Sequence, residues 1–417
     1  MPSDGLQASY DVIVAGGGPA GAVSAALIAE FGYSVLLVER ESFSRLHVGE
    51  SLIPAANAML DRLGMIDEML ASDFPKKYSV QFVTASGHES EPFYFDGFES
   101  TGLGHTWQVV RADFDRMLVE NARRRGATVV SNTRLRPVTG EPPFSRFELT
   151  DSDGETAESN CRVFVDATGQ STLIGSHLGL KNVDPVLKNT TVWTHFRGAQ
   201  RDPGRDGGAT IILHSAEKQS WFWYIPLPND IVSVGCTGSL EYMFDQGGTA
   251  ADIFSRELSI CPALQCRLHN AERVEPFRTT KDFSYKCRPG SGDGWVMVGD
   301  AYGFIDPVYS SGVFLALKSG EMAADAIHDA LMSNDLSAAR LGSWQSKYDE
   351  GVENFRRLVY AFYDDDFNFG RFLARHPEHR DRLTDVLVGN VFKPGIKSMF
   401  ADIDGVATSS KSEGHHD

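Results

Sequence analysis

The feature that most constrains this chain's fold is a short apolar run that ends in a cluster of glycines. Residues 10–15 (Tyr-Asp-Val-Ile-Val-Ala) are typical of a buried strand, and three glycines at 16–18 follow directly. A proline at position 19 opens a predicted helix that extends to about residue 31, and a second apolar run occupies residues 34–38. This order is a β–α–β unit, which joins parallel strands and predicts an α/β fold.

The same glycines have the spacing Gly16-x-Gly18-x-x-Gly21, and the acidic Glu39 follows about twenty residues later, as in a dinucleotide fingerprint. Glycine permits the tight turn at Gly16, the close approach of a pyrophosphate at Gly18 and helix–strand packing at Gly21. The start of the helix places partial positive charge beside the phosphates, and Glu39 can accept hydrogen bonds from ribose hydroxyls. The sequence therefore predicts a bound dinucleotide.

Composition and charge narrow the class of protein. The 417 residues suffice for about two to three domains, and a 42% hydrophobic share is ordinary for a globular chain. A net charge of -17 argues against binding to nucleic acid or to an anionic membrane. Five scattered cysteines match neither a zinc site nor a disulfide framework, so we expect reduced thiols and no metal. With no visible secretory signal or membrane span, we expect a cytoplasmic protein.

Further along the chain, residues 111–125 and 311–332 have the patterns of helices, and residues 295–300 form a buried-strand pattern. Between them lies a β-rich middle. We therefore predict a three-layer nucleotide-binding domain, interrupted by a mostly antiparallel sheet and followed by helices. The predicted boundaries are 8–85, 105–185 and 285–340 for the nucleotide-binding domain, 86–104 and 186–284 for the inserted sheet, 341–403 for the helical region, and 404–417 for a disordered tail.

Two motifs favour FAD over NAD as the dinucleotide. Arg111-x-x-x-Asp115-x-x-Leu118 and Gly299-Asp300 resemble motifs of flavoproteins with the p-hydroxybenzoate hydroxylase type of fold. In that family the aspartate of the second motif binds the ribityl chain of the flavin, and Asp300 matches it. The resemblance therefore implies a Rossmann-like FAD-binding domain.

The segment Trp221-Phe222-Trp223-Tyr224-Ile225-Pro226 resembles the W-x-W-x-I-P signature of flavin-dependent halogenases. On a strand, Trp221, Trp223 and Ile225 would share one face, with Phe222 and Tyr224 on the other. The structural alternative is a strand that is simply buried on both sides. The resemblance implies that Trp221 and Trp223 keep an organic substrate away from the flavin.

Phe304-x-x-Pro307-x-x-Ser310-x-Gly312 resembles a second motif of the same enzymes. It precedes a predicted helix, whose first backbone N–H groups have no acceptor within the helix and can hold an anion. The resemblance makes the amides of Ser311 and Gly312 the candidate halide site. Capping of the helix by Ser310 or Ser311 is a compatible alternative.

A lysine pair at 76–77 resembles the segment that carries the catalytic lysine of these halogenases. In that segment the lysine precedes a phenylalanine by five positions, which selects Lys77 with Phe82 and leaves Lys76 as the fallback. The alternative is a pair of surface lysines, and Ser79 departs from the glycine found in many relatives. If Lys77 is buried beside the substrate, its pKa should be lowered.

Residues 47–51 (His-Val-Gly-Glu-Ser) resemble the V-G-E-S segment that lies near the isoalloxazine in this family. The alternative for its glutamate is an ordinary polar residue before the next helix. With this segment, the predicted cofactor-binding residues are Gly16, Gly18, Pro19, Ala20, Gly21, Glu39, Arg40, Glu50, Ser51, Arg111, Gly299, Asp300, Pro307 and Gly312.

One departure bears on the substrate. Tryptophan halogenases carry a glutamate immediately before the serine of the halide loop, whereas this chain has Tyr309. The short chain and the segments Phe362-Tyr363-Asp364 and Phe367-Asn368-Phe369 look more like the phenol and pyrrole halogenases. We therefore expect a phenol or a pyrrole as substrate rather than tryptophan.

The resemblance as a whole implies an FADH2-dependent halogenase of natural-product or antibiotic biosynthesis. Reduced FAD, delivered as diffusible FADH2 by a separate flavin reductase, would turn O2 and chloride or bromide into hypohalous acid. That acid would halogenate an electron-rich aromatic ring beside Lys77. The alternatives are an aromatic hydroxylase, a flavin-linked reductase of isolated double bonds, and a non-catalytic FAD-binding sensor.

Whether the substrate is free or tethered to an acyl or peptidyl carrier protein is open. Carrier proteins are commonly acidic and would be repelled by this acidic chain unless a basic patch meets them. The candidate residues for such a patch are Arg371, Arg375, Arg380, Arg382, Lys393 and Lys397. The alternative is that these side chains form a solvated helix face.

Overall fold

A computed structural model describes residues 6–43, 47–97, 101–364 and 367–413 of the chain. The strands, in chain order, are β1 (Ser9–Ala15), β2 (Val35–Val38), β3 (Lys76–Lys77), β4 (Ser79–Val83), β5 (Phe93–Tyr94), β6 (Thr106–Trp107), β7 (Thr128–Val130), β8 (Arg134–Pro137), β9 (Arg146–Thr150), β10 (Thr156–Asp166), β11 (Lys181–Arg197), β12 (Thr210–His214), β13 (Ser220–Leu227), β14 (Ile231–Ser239), β15 (Glu272–Arg273), β16 (Arg278–Cys287), β17 (Ser291–Gly292), β18 (Trp295–Met297) and β19 (Gly303–Phe304).

The helices, in chain order, are α1 (Pro19–Glu30), α2 (Ala56–Arg62), α3 (Ile66–Leu70), α4 (Arg111–Arg124), α5 (Leu173–His177), α6 (Leu240–Phe244), α7 (Ala250–Ser259), α8 (Pro262–Leu268), α9 (Gly312–Ser333), α10 (Ala338–Leu341), α11 (Gln345–Tyr363), α12 (Phe369–Arg375), α13 (Arg380–Val388) and α14 (Ile396–Glu413).

The first sheet has a parallel centre, as the β–α–β pattern predicts. Its strand order is β17-β18-β10-β1-β2-β7, with β9 and β8 added beside β10. Strands β1 and β2 pair in parallel, and Val12 stands opposite Val35 on one side and Val163 on the other. These strands are apolar along nearly their whole length because helices or other elements cover both faces.

Helices α1 and α9 pack closely on this sheet. A Cβ atom placed on Gly320 would lie 2.5 Å from the carbonyl oxygen of Ala20, and the Ser24 hydroxyl donates to the Gly320 carbonyl at 3.2 Å. This close approach packs the first turns of α1 against the third turn of α9.

The second sheet is antiparallel through most of its width, with strand order β19-β16-β11-β14-β13-β12-β4-β5 and β15 added beside β11. Strand β4 pairs with β12 in parallel. The prediction places residues 79–83 in the nucleotide-binding segment, whereas in the structure they form β4 of this second sheet. The domain boundaries themselves stay predictions, and residues 98–100 of the segment 86–104 lie outside the described residues.

The β-rich middle also contains three helices that the sequence analysis did not predict: α6, α7 and α8. They pack against the face of the second sheet that carries Phe222, Tyr224 and Cys236. A capping box at Thr249 and Asp252 starts α7, and this Thr-x-x-Asp spacing was the local signal for it. The helices give the second sheet a separate hydrophobic core.

The C-terminal region is helical, as predicted, and its last helix extends into the segment 404–417 for which we predict a disordered tail. Helix α14 continues to Glu413, whereas residues 414–417 lie outside the described residues. Ile396, Met399, Phe400 and Ile403 bury one face of α14. Once those turns are fixed by packing, each further residue adds to the helix at little cost.

All five cysteines lie within the described residues and are free thiols. In the same part of the chain, no helix has both the length and the apolar character needed to cross a membrane.

Candidate active site

A cavity of about 880 Å³ lies where the carboxyl ends of β1 and β2 meet one face of the second sheet. Its walls include the glycine turn after β1, the end of β2, the loop before α9 and side chains of β11, β12 and β13. The predicted cofactor and tryptophan motifs therefore meet around one space, although they are two hundred residues apart in sequence.

The glycine turn is shaped as the fingerprint requires. Gly16 has a φ of +107°, and a Cβ atom there would lie 2.2 Å from the carbonyl oxygen of Ala167. A Cβ on Gly21 would lie 1.9 Å from the Gly16 carbonyl oxygen, which keeps α1 close to β1. At Gly18 a Cβ would meet no atom within 4 Å. Gly18 therefore presents open backbone to the cavity at the start of α1, where a pyrophosphate can bind.

At the end of β2, the buried carboxylate of Glu39 accepts hydrogen bonds from the backbone N–H groups of Gly17 at 2.7 Å and Glu41 at 3.0 Å. These bonds hold Glu39 at the cavity wall. Its neighbour Arg40 also lines the cavity, and its guanidinium donates to the Ser171 hydroxyl at 3.4 Å. The position of Glu39 suits an acceptor for ribose hydroxyls.

Arg111 lies at the start of α4 and is fully engaged. It forms a two-pronged ion pair with Asp115 at 2.9 and 3.0 Å, and it donates to the Val48 carbonyl at 2.6 Å. Burial raises the pKa of Asp300 on the facing wall to about 6, although the positive charges of Arg111 and Lys181 oppose the rise. Arg111 thus anchors the loop that carries residues 47–51, and its positive charge acts on Asp300.

These walls fit an extended dinucleotide. The cavity has open backbone at Gly18 and Gly312, where α1 and α9 begin. It also has the anchored carboxylate of Glu39 after β2 and the buried Asp300 after β18. Two predicted cofactor residues do not line the cavity, namely Gly21 and Gly299. Gly21 packs under the turn, and Gly299 has a φ of +57°, with a Cβ atom there lying 2.8 Å from the Ala20 side chain. Their role is to shape the backbone around the site.

The tryptophan motif has the two faces that the sequence predicts. Trp221, Trp223 and Ile225 point into the cavity and the core of the first sheet. Phe222 and Tyr224 point into the second core. Both indoles are also anchored: the Trp221 N–H donates to the Tyr363 hydroxyl at 2.8 Å, and the Trp223 N–H donates to the Ser233 hydroxyl at 3.1 Å.

The predicted halide loop leads into α9. Ser310 has a φ of +55°, and α9 begins at Gly312 after a Ser311 side chain that caps no backbone amide. Gly312 lines the cavity, and a Cβ atom there would enter open space. The Ser311 side chain is buried behind the wall. The first amides of α9 are therefore the groups through which this loop could hold an anion.

Lys77 is 2% exposed, whereas Lys76 is exposed, so the two lysines are not equivalent. The Lys77 ammonium donates to the Ser51 hydroxyl at 2.8 Å and to the Leu52 carbonyl at 2.9 Å. Burial lowers the pKa of Lys77 to about 7, in the predicted direction. Ser51 and Thr210 line the cavity and are hydrogen-bonded to each other. Lys77 does not line the cavity but reaches it through its hydrogen bond to Ser51.

Three contributors to the site were missed. His195 bonds to the Glu50 carboxylate at 2.9 Å, and both side chains are buried. Trp193, two residues earlier on β11, lines the cavity, and Thr210 bonds to Ser51 at 2.8 Å. The alternation of Trp193 and His195 along β11 is the only local sign that both side chains share one face of the strand. Nothing in the sequence links His195 to Glu50, which lies 145 residues earlier in the chain.

Most of the predicted site residues meet around this cavity. Those that line it are Gly16, Gly18, Pro19, Ala20, Glu39, Arg40, Glu50, Ser51, Arg111, Trp221, Trp223, Asp300, Pro307 and Gly312.

Comparison with known proteins supports the same interpretation. The tryptophan halogenase family matches residues 11–103 and 96–386 of the chain. The chain is 29% identical over 405 residues to the 1H-pyrrole-2-carbonyl-[peptidyl-carrier protein] chlorinase of Pseudomonas fluorescens, covering 92% of this chain and 90% of the relative. It is 31% identical over 387 residues to the corresponding brominase of Pseudoalteromonas luteoviolacea, covering 92% and 93%.

Among solved structures, the flavin-dependent brominase Bmp2 superposes with a TM-score of 0.86 at 28% identity. The match covers 97% of this chain and all of Bmp2. The agreement extends over both sheets and the C-terminal helices.

Proposed function

This chain belongs to the tryptophan halogenase family and is a flavin-dependent halogenase, and from that premise we propose that it halogenates an electron-rich aromatic ring beside Lys77. The observation that carries the proposal is the position of Lys77: it is buried, has a lowered pKa and lies one hydrogen bond from the cavity that fits FAD. The halogen is chlorine or bromine, taken from the halide ion.

When bound, reduced FAD would supply the electrons that activate O2, and the activated oxygen would oxidise halide to hypohalous acid. The residues of this chain then have separate tasks. Gly18 and Glu39 hold the two ends of the pyrophosphate–ribose segment, and the amides of Ser311 and Gly312 hold the halide at the start of α9. Trp221 and Trp223 form the wall that keeps the organic substrate out of the flavin part of the cavity.

Lys77 receives the hypohalous acid that forms at the flavin. With a pKa of about 7, a large fraction of its side chain is the neutral amine near neutral pH. A neutral amine can attack hypohalous acid to give a haloamine and water, whereas an ammonium can only donate a hydrogen bond to it. Ser51 and Leu52 hold the nitrogen in place for either reaction.

We propose a pyrrole on a peptidyl carrier protein as the first substrate to test, because two relatives of nearly equal length act on that compound. Tyr309 at the position of the tryptophan halogenases' glutamate also favours a phenol or pyrrole over tryptophan. A separate flavin reductase is the proposed source of FADH2.

A carrier protein requires a basic contact, and α12 offers one. Arg371 and Arg375 are exposed and one helical turn apart, and Arg380 is exposed nearby. The other predicted basic residues are less suitable, since Lys393 pairs with Asp385, Lys397 pairs with Glu350, and Arg382 donates to His379. We therefore propose the α12 face as the carrier contact.

Mass spectrometry tests the proposal. The enzyme, with FAD, a flavin reductase, NADH, O2 and chloride or bromide, is given carrier-bound pyrrole-2-carbonyl and a panel of free phenols and pyrroles. We expect halogen isotope patterns in a product, and products heavier by one oxygen would instead indicate an aromatic hydroxylase. Lys77→Ala should abolish halogenation while FAD still binds, and Lys76→Ala should not. Halogenation that survives in Lys77→Ala would overturn the assignment of the lysine.

The carrier contact has its own test. Arg371→Glu with Arg375→Glu should raise KM for the carrier-bound substrate about tenfold or more and leave KM for a free substrate unchanged. Lys397→Glu is the matched control, because Lys397 is already paired in the chain.

A further inference from the structure

The indole of Trp223 lies across the neighbouring strand, β14. Its N–H donates to the Ser233 hydroxyl at 3.1 Å. A Cβ atom placed on Gly235 would lie 2.2 Å from Cζ2 and 2.4 Å from Cη2 of the same indole. These distances are far below van der Waals contact, so the ring occupies the space that any other side chain at Gly235 would need.

The backbone gives no separate reason for this glycine. Gly235 lies in the middle of β14 and pairs with Trp193 on one side and Trp223 on the other. Glycine is unfavourable in a strand interior, and it commonly marks a place where another group approaches the backbone closely. Here that group is the Trp223 ring.

The register also explains what the ring does there. Trp193, Gly235 and Trp223 stand side by side on three adjacent strands and share one face of the sheet. Trp193 and Trp223 both line the cavity. Because Gly235 has no side chain, the Trp223 indole extends over β14, on the face of the sheet that also carries Trp193.

We propose that Gly235 and Ser233 are positioning residues that fix the Trp223 indole and so determine how much oxidant reaches the substrate as halogenating agent. The inference rests on the proposed function, in which Trp223 separates the substrate from the flavin. Ser233 fixes the indole nitrogen, and Gly235 provides the space for its six-membered ring. An indole displaced from this position would leave a gap in the wall.

The test measures halogenated product formed per FADH2 oxidised, together with hydrogen peroxide and any oxygenated product. Gly235→Ala should lower the halogenated fraction at least about tenfold, since small displacements of a positioning group have large effects on rate. Peroxide or oxygenated product should rise in proportion, with FAD affinity unchanged. Ser233→Ala, which removes the hydrogen bond without adding bulk, should have a smaller effect in the same direction.

Two further variants separate positioning from folding. Val234→Ala on the same strand removes a side chain from the second core, so it should lower the melting temperature without changing the product ratio. In a Trp223→Phe background the shorter ring leaves Gly235 uncovered, and adding Gly235→Ala should change the ratio little. If Gly235→Ala lowers the halogenated fraction equally in both backgrounds, or not at all in the wild type, the positioning role is wrong.

The same set distinguishes this inference from the proposed function. If Trp223→Phe alone keeps the wild-type ratio, the shielding role of Trp223 fails and the inference fails with it. If Trp223→Phe changes the ratio and neither Gly235→Ala nor Ser233→Ala does, only the positioning role is overturned.

Discussion

The Tyr363 hydroxyl donates a 2.9 Å hydrogen bond to the Asp306 carboxylate and accepts a 2.8 Å hydrogen bond from the Trp221 indole. Tyr363 is the last residue of α11, and Asp306 stands immediately before Pro307 of the proposed halide loop. A second donor, the Asn189 amide, reaches the same carboxylate at 2.7 Å. The C-terminal helices therefore hold the tryptophan motif and the halide loop together through one phenol.

Removal of the Tyr363 hydroxyl should lower the free energy of unfolding. Tyr363→Phe keeps the ring but leaves the buried Trp221 N–H without its acceptor, at an expected cost of about 1–3 kcal/mol. Denaturant unfolding measures the cost. Tyr360→Phe is the control on the same helix: its hydroxyl bonds to the half-buried Asp184, so its loss should cost less. Equal costs for the two variants would contradict the link.

Asp306 should make stability depend on pH. Burial raises its pKa from 3.8 to about 6, although hydrogen bonds from Asn189, Tyr363 and Val308 oppose the rise. Between these two values the folded chain binds more protons than the unfolded chain, so the free energy of unfolding should fall as pH rises from about 4 to about 6. The pKa difference corresponds to about 3 kcal/mol.

The measurement is the difference in unfolding free energy between wild type and Asp306→Asn from pH 4 to pH 7. We expect the advantage of the wild type to shrink over this range, and a constant difference would contradict the prediction. Asp11→Asn is a control of opposite sign. Burial alone would raise the pKa of Asp11, but hydrogen bonds from Ser34 and Arg162 lower it overall. The wild type should therefore gain over Asp11→Asn only as pH rises from the lowered pKa of Asp11 to 3.8, and its advantage should stay nearly constant from pH 4 to pH 7.

The two glycines of the turn should respond differently to alanine. Gly16→Ala forces a side chain into a left-handed conformation and onto the Ala167 carbonyl, so it should cost several kcal/mol or prevent folding, with about 1–3 kcal/mol from the backbone conformation alone. Gly18→Ala adds a methyl group to open space, so stability should change little while FAD affinity falls. Unfolding curves and flavin-fluorescence titrations measure both. Equal loss of stability would contradict the distinct roles of the two positions.

The parts of the fold that the sequence predicts are those that local constraints determine. The glycine turn, the faces of Trp221 and Trp223 and the start of α9 each follow from a few neighbouring residues. Their spacing leaves little choice of backbone, and the alternation of side chains along a strand fixes which rings share a face. These elements are confirmed in the structure.

What the sequence could not predict depends on distant contacts. The burial of Lys77 follows from a two-residue strand, β3, that pairs with β6 some thirty residues later. The bond between Glu50 and His195 spans 145 residues and has no local pattern. From the sequence alone, Gly235 is only an unfavourable residue inside a strand, and its role follows from the Trp223 ring that lies over it. In each case tertiary packing assigns the role.

Lys77 supplies the strongest pH prediction, with a sign opposite to that of Asp306. Burial lowers its pKa from 10.5 to about 7. Between these values the unfolded chain binds more protons than the folded chain, so stability should rise with pH from about 7 to about 10.5. The pKa difference corresponds to an upper limit of about 5 kcal/mol. Lys77→Met removes the titrating group and should flatten this rise.

Chemical denaturation of wild type and Lys77→Met at pH 7 and pH 10 measures the effect. We expect the wild type to gain free energy of unfolding relative to the variant as pH increases, because the cost of a buried charge disappears when the amine is neutral in both states. Lys76→Met, one position away and exposed, should retain the wild-type pH dependence. If the Lys77→Met difference is independent of pH, Lys77 carries its full charge in the fold. The neutral-amine route to a haloamine then fails, and hydrogen bonding to hypohalous acid is left as the role of the lysine.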